Sequence, residues 1–150
     1  MLNDVIVIDG EAKNWKDAIN LTFNELYKKG YVKPSFYEAC IEREIKFPTG
    51  LNSHIPVAIP HTDAIHVNKQ AICVLRLKEP VSFYSIEDAT KKVDAQFIFN
   101  MALKRNEDQL TLLKAVINIV QDKTFLEKAK KLNLNEVKNL FYKKWITEVE

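Results

Sequence analysis

The chain has 150 residues, 47% hydrophobic and 28% charged, and its 22 basic and 20 acidic residues leave a formal charge of +2. This is ordinary composition for one globular domain with a full core, and the near-balance of charge carries no polyelectrolyte signature of nucleic-acid binding. No apolar run approaches the ~20 residues that span a bilayer, and Asn3, Asp4 and Asp9 interrupt the N-terminal apolar stretch, so a cytoplasmic protein without membrane insertion is expected.

The run from Val5 to Ile8 predicts a strand. Asn14 is placed to cap a helix from Trp15 to about Lys29, where Trp15, Ala18, Ile19, Thr22 and Leu26 recur at helical spacing and Gly30 follows the end. Ser35 is placed to cap a second helix, Phe36 to about Ile45, which Phe47-Pro48-Thr49-Gly50 stops with turn chemistry. A strand from Ile55 to Ile59 follows, then a loop through Asn68, a strand from Ala71 to Leu77, and a turn around Glu79-Pro80. The run Val93 to Leu103 is too apolar for a sheet edge and predicts a central strand. Asn106 or Asp108 starts a helix from about Gln109 to Gln121, with Leu110, Leu113, Val116, Ile117 and Val120 in one stripe. Two shorter helices follow, roughly Thr124 to Leu132 and Asn135 to Lys144.

Strands separated by helical segments predict an α/β single-domain sandwich. Three strands between Ile55 and Leu103 have no helix between them, so the sheet should be mixed, with an antiparallel element and helices on both faces. Cys40 and Cys73 sit among apolar neighbours without a CxxC motif and read as buried, inert thiols. The lysines at 128, 130, 131, 138, 143 and 144 are interspersed with Glu127 and Glu136 and read as a solvated helix face.

The three histidines, His54, His61 and His66, fall within thirteen positions. Pro60 fixes its own φ, biases Ile59 toward extended geometry and ends any ladder, which leaves His61 held at a strand end. A backbone carbonyl there can hold one ring N–H while the other nitrogen attacks, a geometry that suits phosphoryl acceptance, and Asp63 is near enough in sequence to orient a ring. The dispersed negative charge of phosphoryl transfer requires donors, for which Arg43 is the leading candidate, with Thr49, Thr62 and backbone N–H groups beside it. From pattern alone Arg43 reads more readily as a solvated surface arginine. His54, His61, Asp63 and His66 have the chemistry of metal ligands in a hydrolase, but their spacing matches no helical i, i+4 pair and no known zinc arrangement. Only Gly10, Gly30 and Gly50 are glycines, too few for a phosphate-cradling loop, so no bound nucleotide is expected, and with the metal disfavoured by spacing the expectation is no cofactor.

The segment from Arg43 through Phe47-Pro48-Thr49-Gly50 to Leu51, together with Ile55 to His66 and the helix start Gln109-Leu110-Thr111-Leu112-Leu113, resembles the fructose/mannitol-type enzyme IIA domains of the bacterial phosphoenolpyruvate-dependent sugar phosphotransferase system. Within that family it is most similar to the galactitol-specific component, and the likeness runs over nearly the whole chain, 1–150. It implies a mixed, mostly parallel sheet with one antiparallel strand and helices on both faces. It implies that His61 is the phosphoacceptor, taking a phosphoryl group on Nε2 from phospho-HPr and passing it to a cysteine of a cognate IIB component, with the membrane component IIC reached only indirectly. Arg43 matches an arginine near the family's active site. Neither Cys40 nor Cys73 would be the receiving cysteine. Mannitol- and fructose-type members carry a second histidine just before the helix that starts here near Gln109, where this chain has Asn106-Glu107-Asp108-Gln109. His54 or Gln109 is then the candidate for that second role, with His66 as a further auxiliary. A carrier met by two partners requires His61 in a shallow, partly exposed depression ringed by apolar surface. The other reading of the same resemblance is a regulatory phosphorylation sensor without a transport role.

Overall fold

A computed structural model describes residues 4–149. Strand β1 (Asp4–Gly10) leads into helices α1 (Trp15–Lys28) and α2 (Phe36–Lys46), then into the short strands β2 (Gly50–Leu51) and β3 (Val57–Ala58). A 3-10 turn at Ala64–His66 precedes the long strands β4 (Ala71–Tyr84) and β5 (Lys92–Ala102), followed by helices α3 (Asn106–Gln121), α4 (Lys123–Lys131) and α5 (Leu134–Val149). The strands form one sheet in the order β1-β4-β5-β3-β2. β1 with β4 and β3 with β5 run parallel, whereas β4 with β5 and β2 with β3 run antiparallel. The α/β class, the mixed sheet and the central place of β5 are as the sequence predicts.

Side chains alternate across the sheet with the period of two that a strand imposes. Ile72 and Val74 of β4 face a core closed by α3, α4 and α5, whereas Cys73 and Leu75 face a second core closed by α1 and α2. The sheet is therefore covered on both faces. Helix α1 begins where Asn14 Oδ1 accepts from the Asp17 N–H at 2.9 Å, and the chain leaves it through Gly30 at φ 79°, a conformation that L side chains rarely adopt. Both cysteines are free and buried, and burial pushes their thiols well above the ordinary range. Among the described residues no helix is long and apolar enough to cross a membrane.

Several boundaries differ from the sequence reading, each for a local reason. The strand expected over Ile55–Ile59 is hydrogen-bonded as a ladder only at Val57–Ala58, because Pro56 and Pro60 flank it and have no N–H to give. Their carbonyls still accept from β5: Gln96 N–H reaches Pro56 at 2.8 Å and Met101 N–H reaches Pro60 at 3.1 Å. The turn expected at Glu79-Pro80 is instead a register shift between Arg76 and Val81 inside one long strand, and the irregularity absorbs the missing proline donor. β2 lies where only a turn was expected. Gly50 permits it, since a Cβ there would lie 2.6 Å from the Tyr84 carbonyl oxygen. Ser35 does not cap α2 through its side chain, and α3 starts at Asn106, three residues before Gln109. The buried face of α3 runs through Leu112, Val116 and Ile119, leaving Leu110 exposed.

Candidate functional site

His61 is half-buried at the end of the extended segment that continues β3, and it pairs with Met101 of β5 through an isolated parallel bridge. Its Nδ1 lies 2.9 Å from the Ile59 carbonyl oxygen. A carbonyl can only accept, so in the neutral ring Nδ1 carries the proton and Nε2 keeps an unshared pair. Burial is the main cause of a pKa below the ordinary histidine value, opposed by the Ile59 carbonyl, assisted by the positive charge of Arg43 and opposed by Asp63. The neutral, nucleophilic form is thus the resting form at neutral pH.

Arg43 comes from the last turn of α2. Its Nη1 is 3.9 Å from the exposed Asp63 carboxylate and its guanidinium lies 5.5 Å from the centre of the Phe47 ring. Its Nε is buried without a hydrogen-bond partner among the described residues. The pairing with Asp63 is long and solvent-screened, so it holds the guanidinium only weakly. The result is a cation near enough to lower the His61 pKa, with a buried donor unfilled among the described residues.

The next residue, Glu44, points inward and is buried. It accepts from the Thr49 backbone N–H at 2.7 Å and from the Thr49 hydroxyl at 2.9 Å. The same hydroxyl oxygen accepts from the Ile59 N–H at 3.0 Å. Burial pushes the Glu44 carboxyl up to about 7, against the pull of the Thr49 donors and Arg43. A continuous run of hydrogen bonds therefore leads from Glu44 through Thr49 to Ile59, and the carbonyl of Ile59 holds His61.

A strand-end imidazole whose Nε2 keeps its unshared pair, within the electrostatic reach of an arginine, has the chemistry of a phosphoryl acceptor. The family model described as "Phosphoenolpyruvate-dependent sugar phosphotransferase system, EIIA 2" matches residues 1–144. The chain belongs to this enzyme IIA family. It is thus a phosphotransferase component. It is 33% identical over 122 residues to the galactitol-specific EIIA component of Escherichia coli K12, covering 80% of each chain. The crystal structure of mannitol IIA from Escherichia coli superposes with a TM-score of 0.74 at 25% identity, over 91% of this chain and 94% of that one. The mannitol IIA of Escherichia coli in complex with phosphorylated IIB has the same fold, with a TM-score of 0.75 at 24% identity over 93% and 94% of the two chains.

In this enzyme IIA the remaining candidates separate. Thr62 is buried, and its carbonyl accepts from Gln109 Nε2 at 3.3 Å, so the start of α3 is tied to the residue after His61. His66 is paired with Ser35, Nδ1 to Oγ at 2.8 Å, and its carbonyl accepts from the Lys33 N–H at 2.9 Å; it fastens the α1–α2 connection. His54 is not brought to His61. Its Nε2 lies 3.1 Å from Glu127 Oε1 on α4. Pro56 sits opposite Gln96 and His61 opposite Met101, so the two ends of this segment are separated along β5 by about 16 Å at ~3.3 Å per residue. The three histidines thus diverge, and among the described residues no three His, Cys, Asp or Glu side chains are grouped to hold a metal ion.

Glu44 was not among the sequence candidates. Its only sequence trace is the position beside Arg43 and five residues before Thr49. Around the site, Ile45, Phe47, Ile65 and Leu110 are exposed. All four belong to the segments that carry Arg43, Asp63 and Gln109.

Proposed function

We propose that His61 is the phosphoryl acceptor of this enzyme IIA, that Nε2 is the reacting atom, and that Arg43 is the principal counter-charge. The observation that carries the reading is the 2.9 Å bond from His61 Nδ1–H to the Ile59 carbonyl, which leaves Nε2 as the unprotonated nitrogen. Nε2 attacks the phosphorus of phospho-HPr in line, and the donor's bond to phosphorus breaks. The loaded ring carries Nε2–P on one side and Nδ1–H on the other, a cationic imidazole whose Nδ1–H still donates to the Ile59 carbonyl oxygen. Arg43 meets the charge on the phosphoryl oxygens as it disperses. A cysteine thiolate of the cognate IIB component then attacks phosphorus, the Nε2–P bond breaks, and the pair returns to Nε2. Gln109 and Thr62 shape the loop beside the acceptor, and the exposed Ile45, Phe47, Ile65 and Leu110 supply the surface on which HPr and IIB dock in turn. Residues 1–150 act as one cytoplasmic unit.

The identity with a galactitol-specific relative supports galactitol as the polyol whose uptake and phosphorylation this transfer serves through the membrane component IIC. Incubation with enzyme I, HPr and labelled phosphoenolpyruvate is expected to give an acid-labile, base-stable phosphoprotein, and His61→Ala is expected to abolish it. Label retained by that variant overturns the assignment. Restored growth on galactitol, and on no other polyol, in a strain lacking its own IIA tests the substrate.

A further inference from the structure

We infer that Glu44 is a positioning residue for His61: through the Thr49 hydroxyl it fixes the Ile59 backbone whose carbonyl selects the Nδ1–H tautomer and leaves Nε2 free to react. This rests on His61 being the acceptor.

With Glu44 ionised, the geometry allows one direction of donation at each step. The Ile59 N–H can only donate, so the Thr49 oxygen accepts it, and the hydroxyl proton must point elsewhere. Among the described residues the acceptor for that proton is the Glu44 carboxylate, which also takes the Thr49 N–H. Thr49 is thereby held at both its backbone and its side chain. Ile59 is in turn held at its N–H by Thr49 and by its fully buried side chain, and the following Pro60 restricts its ψ. Little freedom is left to the carbonyl that accepts from His61.

The local sheet explains why a side chain is used here. Gly50 pairs with Ala58 and Leu51 with Val57, so Thr49 falls opposite Ile59 at the next position of the antiparallel ladder. There the Ile59 N–H is taken by the Thr49 hydroxyl, and the Thr49 N–H turns away to Glu44. A carboxylate at this depth costs stability that an apolar side chain would not. Among the described residues its hydrogen bonds are with Thr49, the residue that leads to the acceptor.

The test separates tautomer from transfer. In ¹⁵N-labelled protein at neutral pH, His61 is expected to show a protonated Nδ1 and an unprotonated Nε2. Thr49→Val keeps the side-chain shape and removes the hydroxyl; it is expected to shift His61 toward a mixture of tautomers and to slow phosphorylation by phospho-HPr on the order of 10- to 100-fold. Thr49→Ser should restore both, which a general loss of packing would not allow. Glu44→Gln retains an oxygen for the Thr49 N–H and is expected to shift the tautomer in the same direction by less. A folded Thr49→Val protein with the wild-type tautomer or the wild-type rate overturns the inference. If Thr49→Val fails to fold, an unchanged His61 spectrum in Glu44→Gln overturns it instead. A wild-type protein that is never phosphorylated defeats the acceptor assignment itself, and the tautomer spectra would still judge the role of Glu44.

Discussion

Arg43 and Arg76 are both drawn partly into the fold, and they are held in opposite ways. Arg76 lies on β4 with Nε 2.6 Å and Nη2 2.9 Å from the two carboxylate oxygens of Asp9, while Nη1 reaches the carbonyls of Ala129 at 2.8 Å and Leu132 at 2.6 Å. It joins β1, β4 and the end of α4, and its charge is answered inside the protein. Arg43 has a buried Nε without a hydrogen-bond partner among the described residues, a long contact to an exposed carboxylate and the Phe47 ring beside it. The difference teaches how to read a partly buried arginine. A guanidinium whose donors are filled is structural, whereas one with an unfilled donor near the proposed acceptor has capacity left for an arriving anion.

Exchanging the two losses tests the contrast most directly. Arg43→Gln is expected to slow phosphorylation by about 10²- to 10³-fold, the scale of removing one charge-stabilising donor, with stability changed by less than about 1 kcal/mol. Arg76→Gln is expected to do the reverse, losing about 3 kcal/mol in urea unfolding by leaving Asp9 and two carbonyls unanswered, with transfer intact. Stability lost at Arg43 with transfer retained would break the comparison.

The pH dependence sharpens it further. The folded-state pKa of His61 lies below 6.5, so the transfer rate should stay flat as pH falls to that value and decline only beneath it. The folded protein then binds fewer protons than the unfolded chain, and the stability contributed by the neutral ring is present above pH 6.5 and lost as pH falls through the folded value. Glu44 has the opposite sign. Its carboxyl is raised from 4.5 to about 7, so its contribution is present below pH 4.5 and lost as pH rises through about 7. In Arg43→Gln the onset of the rate decline should move upward, because one cause of the low His61 value is gone; an unmoved onset would count against Arg43 facing the ring.

The smallest expected effect belongs to His54. It pairs with Glu127 at the other end of its segment, both side chains being substantially exposed. His54→Asn should change stability by less than about 0.5 kcal/mol and leave the transfer rate at the wild-type value. A large loss of transfer would return it to the site.

This last case shows what was legible in the sequence. Three histidines close in number looked like a cluster, but an extended segment carries its two ends apart, so nearness in sequence becomes distance in space. The same prolines that make the segment extended were the legible part of the site: Pro60 announced a held imidazole at a strand end, and its apolar neighbours announced burial. Arg43 was singled out among the basic residues, but its idle Nε depends on how α2 meets the loop after His61. Glu44 stayed hidden for a related reason. A glutamate in the last turn of a helix ordinarily faces water, and only the folding of β2 back against β3 brings Thr49 over it. The helices were read well wherever an apolar stripe and a cap coincided, as at Asn14 and Trp15. The start of α3 was misplaced because Asn106, Asp108 and Gln109 offered similar signals.

Pro56 and Pro60 have a further consequence, for the edge of the sheet. They confine β3 to Val57–Ala58, and β2 beyond it pairs only through Gly50 and Leu51. The sheet therefore stops at a margin too short to template another chain's strand. At this one edge, opposite the longer edge strand β1, the residues that aim the imidazole also remove a flat, hydrogen-bond-hungry border along which a concentrated protein would otherwise self-associate.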